Sequence, residues 1–136
     1  MRISGEHSSA TGGAARVLMI AEDDVDGVIG FAAAGPERSS DPTYRGEVYA
    51  IYILPSHQRH GCGRALMRAA TRGLADVCLP SMLLWVLEAN APARAFYEAL
   101  GGSVVRHQPI EIGGATLTEV AYGWADLAPL LEAAAT

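Results

Sequence analysis

The segment Glu47 to Leu54 reads EVYAIYIL, dense in β-branched and aromatic residues, with apolar side chains on both parities and Pro55 closing the run. Strict alternation would mark a strand with one wet face. Apolar residues on both parities predict a strand covered on both faces, and so a central one. After Pro55 the period changes: Leu66, Ala70, Leu74 and Val77 recur at helical spacing, while Arg64, Arg68 and Arg72 fall on another face. A buried strand therefore feeds a glycine-containing turn, Gln58-Arg59-His60-Gly61-Cys62-Gly63, that opens an amphipathic helix.

The remaining elements are read against this unit. Arg16 to Ala21 (RVLMIA) and Val28 to Ala34 predict a hairpin turning at Asp23 to Gly27, and residues 35–46 predict a loop. Met82 to Leu87 (MLLWVL) predicts a strand. Asn90 is placed to cap a short helix from Ala91 to Leu100, which Gly101 and Gly102 end. Ser103 to His107 and Thr116 to Tyr122 predict a last pair of strands joined through Gly113-Gly114, and Asp126 to Ala135 a closing helix. The order β-β-β-α-β-α-β-β, without an internal repeat, predicts an α/β or α+β fold in one domain over residues 16–136. Residues 1–15, rich in Gly, Ser, Ala and Thr with little to bury, are expected to form a flexible arm without order.

Composition narrows the function. The chain has 136 residues, 15 acidic and 10 basic, for a formal charge of −5, and every basic residue is Arg. Non-specific nucleic-acid binding depends on clustered positive charge, so no nucleic-acid partner is expected. Cys62 and Cys78 form neither a CxxC pair nor a disulfide framework, which points to a reducing cytoplasm. The N-terminus has no apolar core after its first Arg. No apolar run approaches the ~18 residues needed to span a bilayer, so a soluble protein without a membrane partner is expected.

The turn at Gln58 to Gly63 is the first candidate site. A helix N-terminus offers unpaired N–H groups and the positive end of the helix dipole, and glycines let an anion reach them. Gln58, Arg59 and Arg64 can add contacts to phosphate oxygens. A turn with only a structural purpose fits the same two glycines. The pattern is neither a P-loop, which needs a Lys-Ser/Thr pair, nor the dinucleotide GxGxxG, since position 66 is Leu. His57 and His60 stand three apart without an evident third ligand, and no metal is expected. Cys62 has no evident His partner to activate it as a nucleophile.

Gln58-x-x-Gly61-x-Gly63 resembles the Q/R-x-x-G-x-G/A signature of the GNAT superfamily of N-acetyltransferases. Leu87 to Gly102, LEANAPARAFYEALGG, is similar to that family's N-x-x-A-x-x-F-Y-x-x-L-G segment, with Asn90, Ala93, Phe96, Tyr97, Leu100 and Gly101 in register. The resemblance covers roughly Arg16 to Trp124. It implies a mixed, largely antiparallel sheet flanked by helices, and acetyl-CoA as cosubstrate. It implies that backbone groups of Ile51, Tyr52 and Ile53 hold the pantetheine arm, and that the amides from Arg59 through His60, Gly61, Cys62 and Gly63 to Arg64 hold the pyrophosphate.

The same resemblance gives Asn90 a cofactor contact beside its capping role. It makes Tyr97 the general acid that protonates the leaving thiolate, where spacing alone would read a half-buried helix tyrosine. Glu47 is the candidate base and Glu88 a rival, although a solvated strand end fits Glu47 as well. Family members usually begin with a strand and two helices that build much of the acceptor pocket. Here only residues 1–15 precede the hairpin, so either a shortened start or a pocket completed by a second copy of the chain is expected, and the uncovered sheet predicts a homodimer or a poorly soluble monomer. The function implied is transfer of an acetyl group to a primary amine of a small molecule or peptide, the alternative being a non-catalytic acyl-CoA-binding module.

Overall fold

A computed structural model describes residues 1–8, 16–58 and 61–135. Its framework is one seven-stranded sheet in the order β1-β2-β3-β4-β5-β7-β6. The strands are β1 (Arg2–Ser8), β2 (Arg16–Asp23), β3 (Gly27–Pro36), β4 (Gly46–Ile53), β5 (Met82–Leu87), β6 (Ser103–Ile112) and β7 (Ala115–Trp124). The helices are α1 (Cys62–Asp76), α2 (Ala91–Ala99) and α3 (Ala128–Ala135). β4 is the middle strand, as its pattern predicts. Its pairing with β5 is parallel and every other pairing is antiparallel. The single parallel pair follows from the crossover through α1, which carries the chain back to the end where β4 began. The mixed α/β class expected from sequence is the one observed.

The expected arm is where the structure differs. Residues 2–8 form β1, which pairs with β2 from Arg2 opposite Glu22 to Ser8 opposite Arg16; residues 9–15 of the same expectation lie outside the described residues. The strand owes little to its own apolar content. Ile3 packs against the core, Arg2 reaches Asp24 at 2.5 Å, and the rest is backbone pairing. A Cβ at Gly5 would stand 2.1 Å from the Met19 sulfur, so the glycine that suggested disorder is what lets Met19 lie against the strand. β6 and β7 also run further than predicted, pairing out to Ile112 opposite Ala115. Gly113 and Gly114 turn between them with φ of 58° and 83°, the two positive angles of a tight hairpin.

One core fills one face of the sheet. Alternate residues of the strands, among them Val17, Ala32, Val48, Leu84 and Tyr122, meet Leu66 and Leu74 of α1, Tyr97 of α2 and Leu130 of α3 in a single buried cluster. On the other face Leu18, Phe31 and Tyr52 are 43%, 37% and 50% exposed. No described helix is long and apolar enough to cross a membrane.

α1 sits close to β2 at Gly73, where an added Cβ would lie 2.6 Å from Cγ1 of Val17, itself 2% exposed. In an open helix Gly→Ala would stabilise by about 1 kcal/mol. Here the methyl group meets a stiff, buried, β-branched side chain, and overpacking of this kind costs about 1–3 kcal/mol. Gly73→Ala is therefore expected to lower the urea midpoint without changing the slope, against the propensity rule.

Candidate active site between two diverging strands

β4 and β5 pair only from Gly46 opposite Met82 to Val48 opposite Leu84, although β4 continues to Ile53 and β5 to Leu87. The divergence begins at a bulge. β3 pairs Ala34 with Val48 and Ala33 with Ala50, leaving Tyr49 as the extra residue that bends β4. Where the strands part lies a cavity of about 590 Å³, within the usual range for small-molecule sites. Ile51, Tyr52 and Ile53 line one side of it, Gln58, Gly61, Gly63 and Arg64 its floor, and Asn90 and Tyr97 the other side. Segments far apart in sequence are thus brought to one place. Arg59 and His60 lie outside the described residues.

Gly61 precedes α1 with φ 82°, a left-handed conformation that a side chain would strain, and no side chain caps the helix. The first intrahelical bond runs from Ala65 N–H to the Gly61 carbonyl at 3.1 Å. The amides of Cys62 and Gly63 come before it and have no acceptor within the helix, which is the donor set an anion requires. Gly63 has a different reason for being glycine. A Cβ there would meet Ile53 Cδ1 and Phe96 Cζ, each at 3.2 Å, so its bareness seats the start of α1 between β4 and α2.

Of two side chains of the turn, one departs from expectation and one agrees with it. Gln58 folds back, its Nε2 donating to the Ile53 carbonyl at 3.1 Å, and so fastens the turn to the strand end. Cys62 is 2% exposed, and burial pushes its thiol up in pKa, away from a reactive thiolate. Its contribution to the turn is its backbone.

On α2 the two readings of Asn90 coincide. Its Oδ1 accepts from Ala93 N–H at 3.2 Å, capping the helix, while the residue also lines the cavity. Tyr97 is 7% exposed and packs edge-on against Phe96 at 5.4 Å and Trp124 at 6.5 Å, and tilted on Tyr122 at 5.9 Å. Its hydroxyl takes no hydrogen bond among the described residues, and it is open to the cavity rather than sealed. Val86, Pro92, Ala93 and Phe96 complete the lining. Sequence reasoning did not assign these four to the site. Val86 was reachable from its parity with Leu84, and Ala93 from its place one turn before Tyr97.

Glu47 is not among the lining residues. It is 2% exposed, and Arg38 holds it through Nη2 to Oε2 at 2.7 Å and through its backbone N–H to Oε1 at 3.1 Å. The solvated strand end considered from sequence is thus a buried carboxylate paired with a largely exposed guanidinium. Glu88 ends β5, its N–H donating to the Thr118 carbonyl at 2.9 Å. His57, read from sequence as lacking further ligands nearby, meets Asp23 at 2.8 Å and Asp26 at 3.3 Å through Nε2, and Ser56 Oγ through Nδ1. The cluster ties the β2–β3 turn to the 3₁₀ turn at Pro55–His57. The Asp26 N–H, and then His57, hold the Asp23 carboxyl below the ordinary range.

Burial pushes the Tyr97 phenol above its usual pKa of about 10, because the phenolate would lose its hydration. The unfolded phenol ionises first as pH rises, so this residue withdraws stability from the fold above about pH 10 and has no such effect below it. A difference titration of tyrosine absorbance between wild type and Tyr97→Phe should show the missing group titrating above the ordinary range of a free tyrosine.

Comparison with known proteins agrees with this fold. The model of the acetyltransferase (GNAT) family matches residues 6–102. The N-acetyltransferase YuaI of Bacillus subtilis is 42% identical over 113 residues, which cover 83% of this chain and 65% of that protein. A mycothiol acetyltransferase of Kocuria rhizophila is 39% identical over 87 residues, 62% of this chain and 28% of that protein. The chain thus spans less than two thirds of these curated relatives. Among solved structures, smu.2055 of Streptococcus mutans superposes with a TM-score of 0.71 at 17% identity, over 93% of this chain and 99% of that one. The Salmonella typhimurium protein yncA, solved with acetyl-CoA, superposes with a TM-score of 0.63 at 23% identity, over 82% and 64%.

Proposed function

This chain belongs to the GNAT acetyltransferase family, and on that premise we propose that it binds acetyl-CoA where β4 and β5 diverge and passes the acetyl group directly to a primary amine of a small molecule or peptide. The observation that carries the reading is the cavity itself, which joins an uncapped helix N-terminus at one end to a buried tyrosine with an open hydroxyl at the other. The amides of the Gly61 to Arg64 turn hold the pyrophosphate, and the family resemblance adds Arg59 and His60 to this role. Ile51, Tyr52 and Ile53 hold the amide groups of the pantetheine arm through the strand edge that β5 leaves. Asn90 caps α2 and touches the arm.

In the transfer the amine nitrogen forms a bond to the thioester carbonyl carbon and the C–S bond breaks. The sulfur leaves with a proton from the Tyr97 hydroxyl, which its raised pKa keeps loaded at neutral pH, and the proton that the nitrogen sheds as the amide forms restores the phenol through water. The attacking ammonium must first lose a proton. Glu47, on the face of β4 away from Val48, is the carboxylate we assign as its acceptor through water, with Arg38 as its resting partner.

The cytoplasm is the compartment that suits Cys78, a free and exposed thiol. We also infer a homodimer, supported by the apolar face around Leu18, Phe31 and Tyr52. Light scattering on the eluting protein should give twice the chain mass, and a well-behaved monomer would remove this part of the reading.

Acetyl-CoA supplied with a panel of primary amines should release free thiol in step with amine consumption. Tight CoA binding with no turnover on any amine would instead identify a binding module. Tyr97→Phe is expected to lower kcat by about 10²-fold or more, as loss of a general acid does. Glu47→Gln keeps the acceptor for the Arg38 N–H but not the base. It should lose about 10²-fold at neutral pH and recover as pH approaches the pKa of the amine, where no base is needed. Equal loss at every pH would remove Glu47 from the role.

A further inference from the structure

The helix that carries Tyr97 is anchored by few apolar side chains: Ala93 and Phe96 pack partly buried against the core, and Leu100 is buried at its end. α2 is nine residues long, and Tyr97 is its one buried residue. Two aromatic side chains of β7 fasten it by hydrogen bonds. Trp124 Nε1 donates to the Leu100 carbonyl at 3.1 Å, just past the helix end. The Tyr122 hydroxyl donates to Glu98 Oε2 at 2.5 Å and accepts from Arg94 Nε at 3.0 Å. Arg94 Nη1 also reaches the Glu88 carbonyl at 3.1 Å, so this one phenol gathers β7, α2 and the end of β5.

The Tyr122 ring is fully buried against Tyr97. A phenylalanine would fill that space without the cost of burying a hydroxyl, so the hydroxyl is useful only through the bonds it makes. Arg94 and Glu98 lie one turn apart and bracket Tyr97 along the helix. Tyr97 has no hydrogen bond among the described residues to hold its own hydroxyl, whose place in the cavity is inherited from the helix. We infer that Tyr122 is a positioning residue: its hydroxyl, gripped between Arg94 and Glu98, sets the pose of α2 and through it the point in the cavity at which the Tyr97 hydroxyl stands. The inference rests on the reaction proposed above, with Tyr97 as its acid.

A displacement of about 1 Å at a reacting group can cost about 10²-fold, and the loss of one fastening among several should cost about tenfold. Turnover would be measured by thiol release from acetyl-CoA, with the best acceptor from a panel running from ethanolamine to a tripeptide with a free α-amine. Tyr122→Phe is expected to lower kcat about tenfold while the KM for acetyl-CoA stays within about twofold, since the cofactor turn is not touched. In a Tyr97→Phe background the same change should cost nothing further, because the group being positioned is gone. Glu98→Gln, which still offers an oxygen to the Tyr122 hydroxyl, should keep most of the turnover that Glu98→Ala loses.

Wild-type kcat in Tyr122→Phe, or an equal loss in both backgrounds, overturns the inference while leaving Tyr97 as the acid. Full activity of Tyr97→Phe, or no acetylation of any amine by wild type, overturns the inference together with the reading beneath it. Thermal melts of each variant separate a loss of pose from a loss of fold, because only the latter lowers kcat in both backgrounds in proportion to the melting shift.

Discussion

The separation of β4 from β5 after Val48 and Leu84 is the constraint on which the rest of the site depends. A parallel pair that stops halfway leaves backbone N–H and C=O groups along the edge of β4 that a continuing strand would have satisfied. Such an edge would normally close. It stays open because each strand is held on its other side over its whole length, β4 by β3 as far as Ile53 opposite Gly30, and β5 by β7 from Met82 to Leu87. The bulge at Tyr49 then turns β4 away, and the beginnings of α1 and α2 fill the mouth from the core side. The packing of Gly63 against Ile53 and Phe96 belongs to this arrangement: the helix whose amides face the cavity must also come within van der Waals contact of both walls.

What was legible in the sequence follows from how local each signal is. The central strand, the turn and both helix starts are written in periodicity and capping chemistry within a dozen residues, and they appear where the pattern puts them. The Asn90 cap is an example, since one oxygen and one amide three residues on suffice to define it. β1 was not legible, because its stability comes from the edge of β2 and not from its own side chains. The far half of β6, Gln108 to Ile112, was missed for the same reason, as these mostly exposed residues are held chiefly by pairing with β7.

At the site, the sequence marked the residues that gather but not always why they are there. Gly63 looked like room for an anion and is also room for two side chains. Gln58 looked like a phosphate contact and bonds the end of its own strand. Glu47 looked like a strand end in water and is buried against Arg38, a partner nine residues earlier across a loop whose path no periodicity describes. Each of these differences is a tertiary contact that a single sequence does not encode locally.

The absence of lysine acquires a structural sense from those contacts. Arg38 joins the Glu47 carboxylate while its guanidinium lies 4.6 Å from the Tyr49 ring centre; Arg94 joins the Tyr122 hydroxyl to the Glu88 carbonyl; Arg106 joins Asp41 to Ser39. In each case one planar fork serves two partners, on different segments for Arg94, which a single ammonium at the end of a flexible stem does less well. The segments so fastened are α2, beside the opening, and the β3–β4 loop, at the end of β4 where it pairs with β5. The core fixes the middle of the sheet, and guanidinium forks fix these two flanking pieces. The groups nearest the proposed chemistry are thus located by directional bonds of defined geometry, which hold a pose more narrowly than apolar packing on a nine-residue helix could.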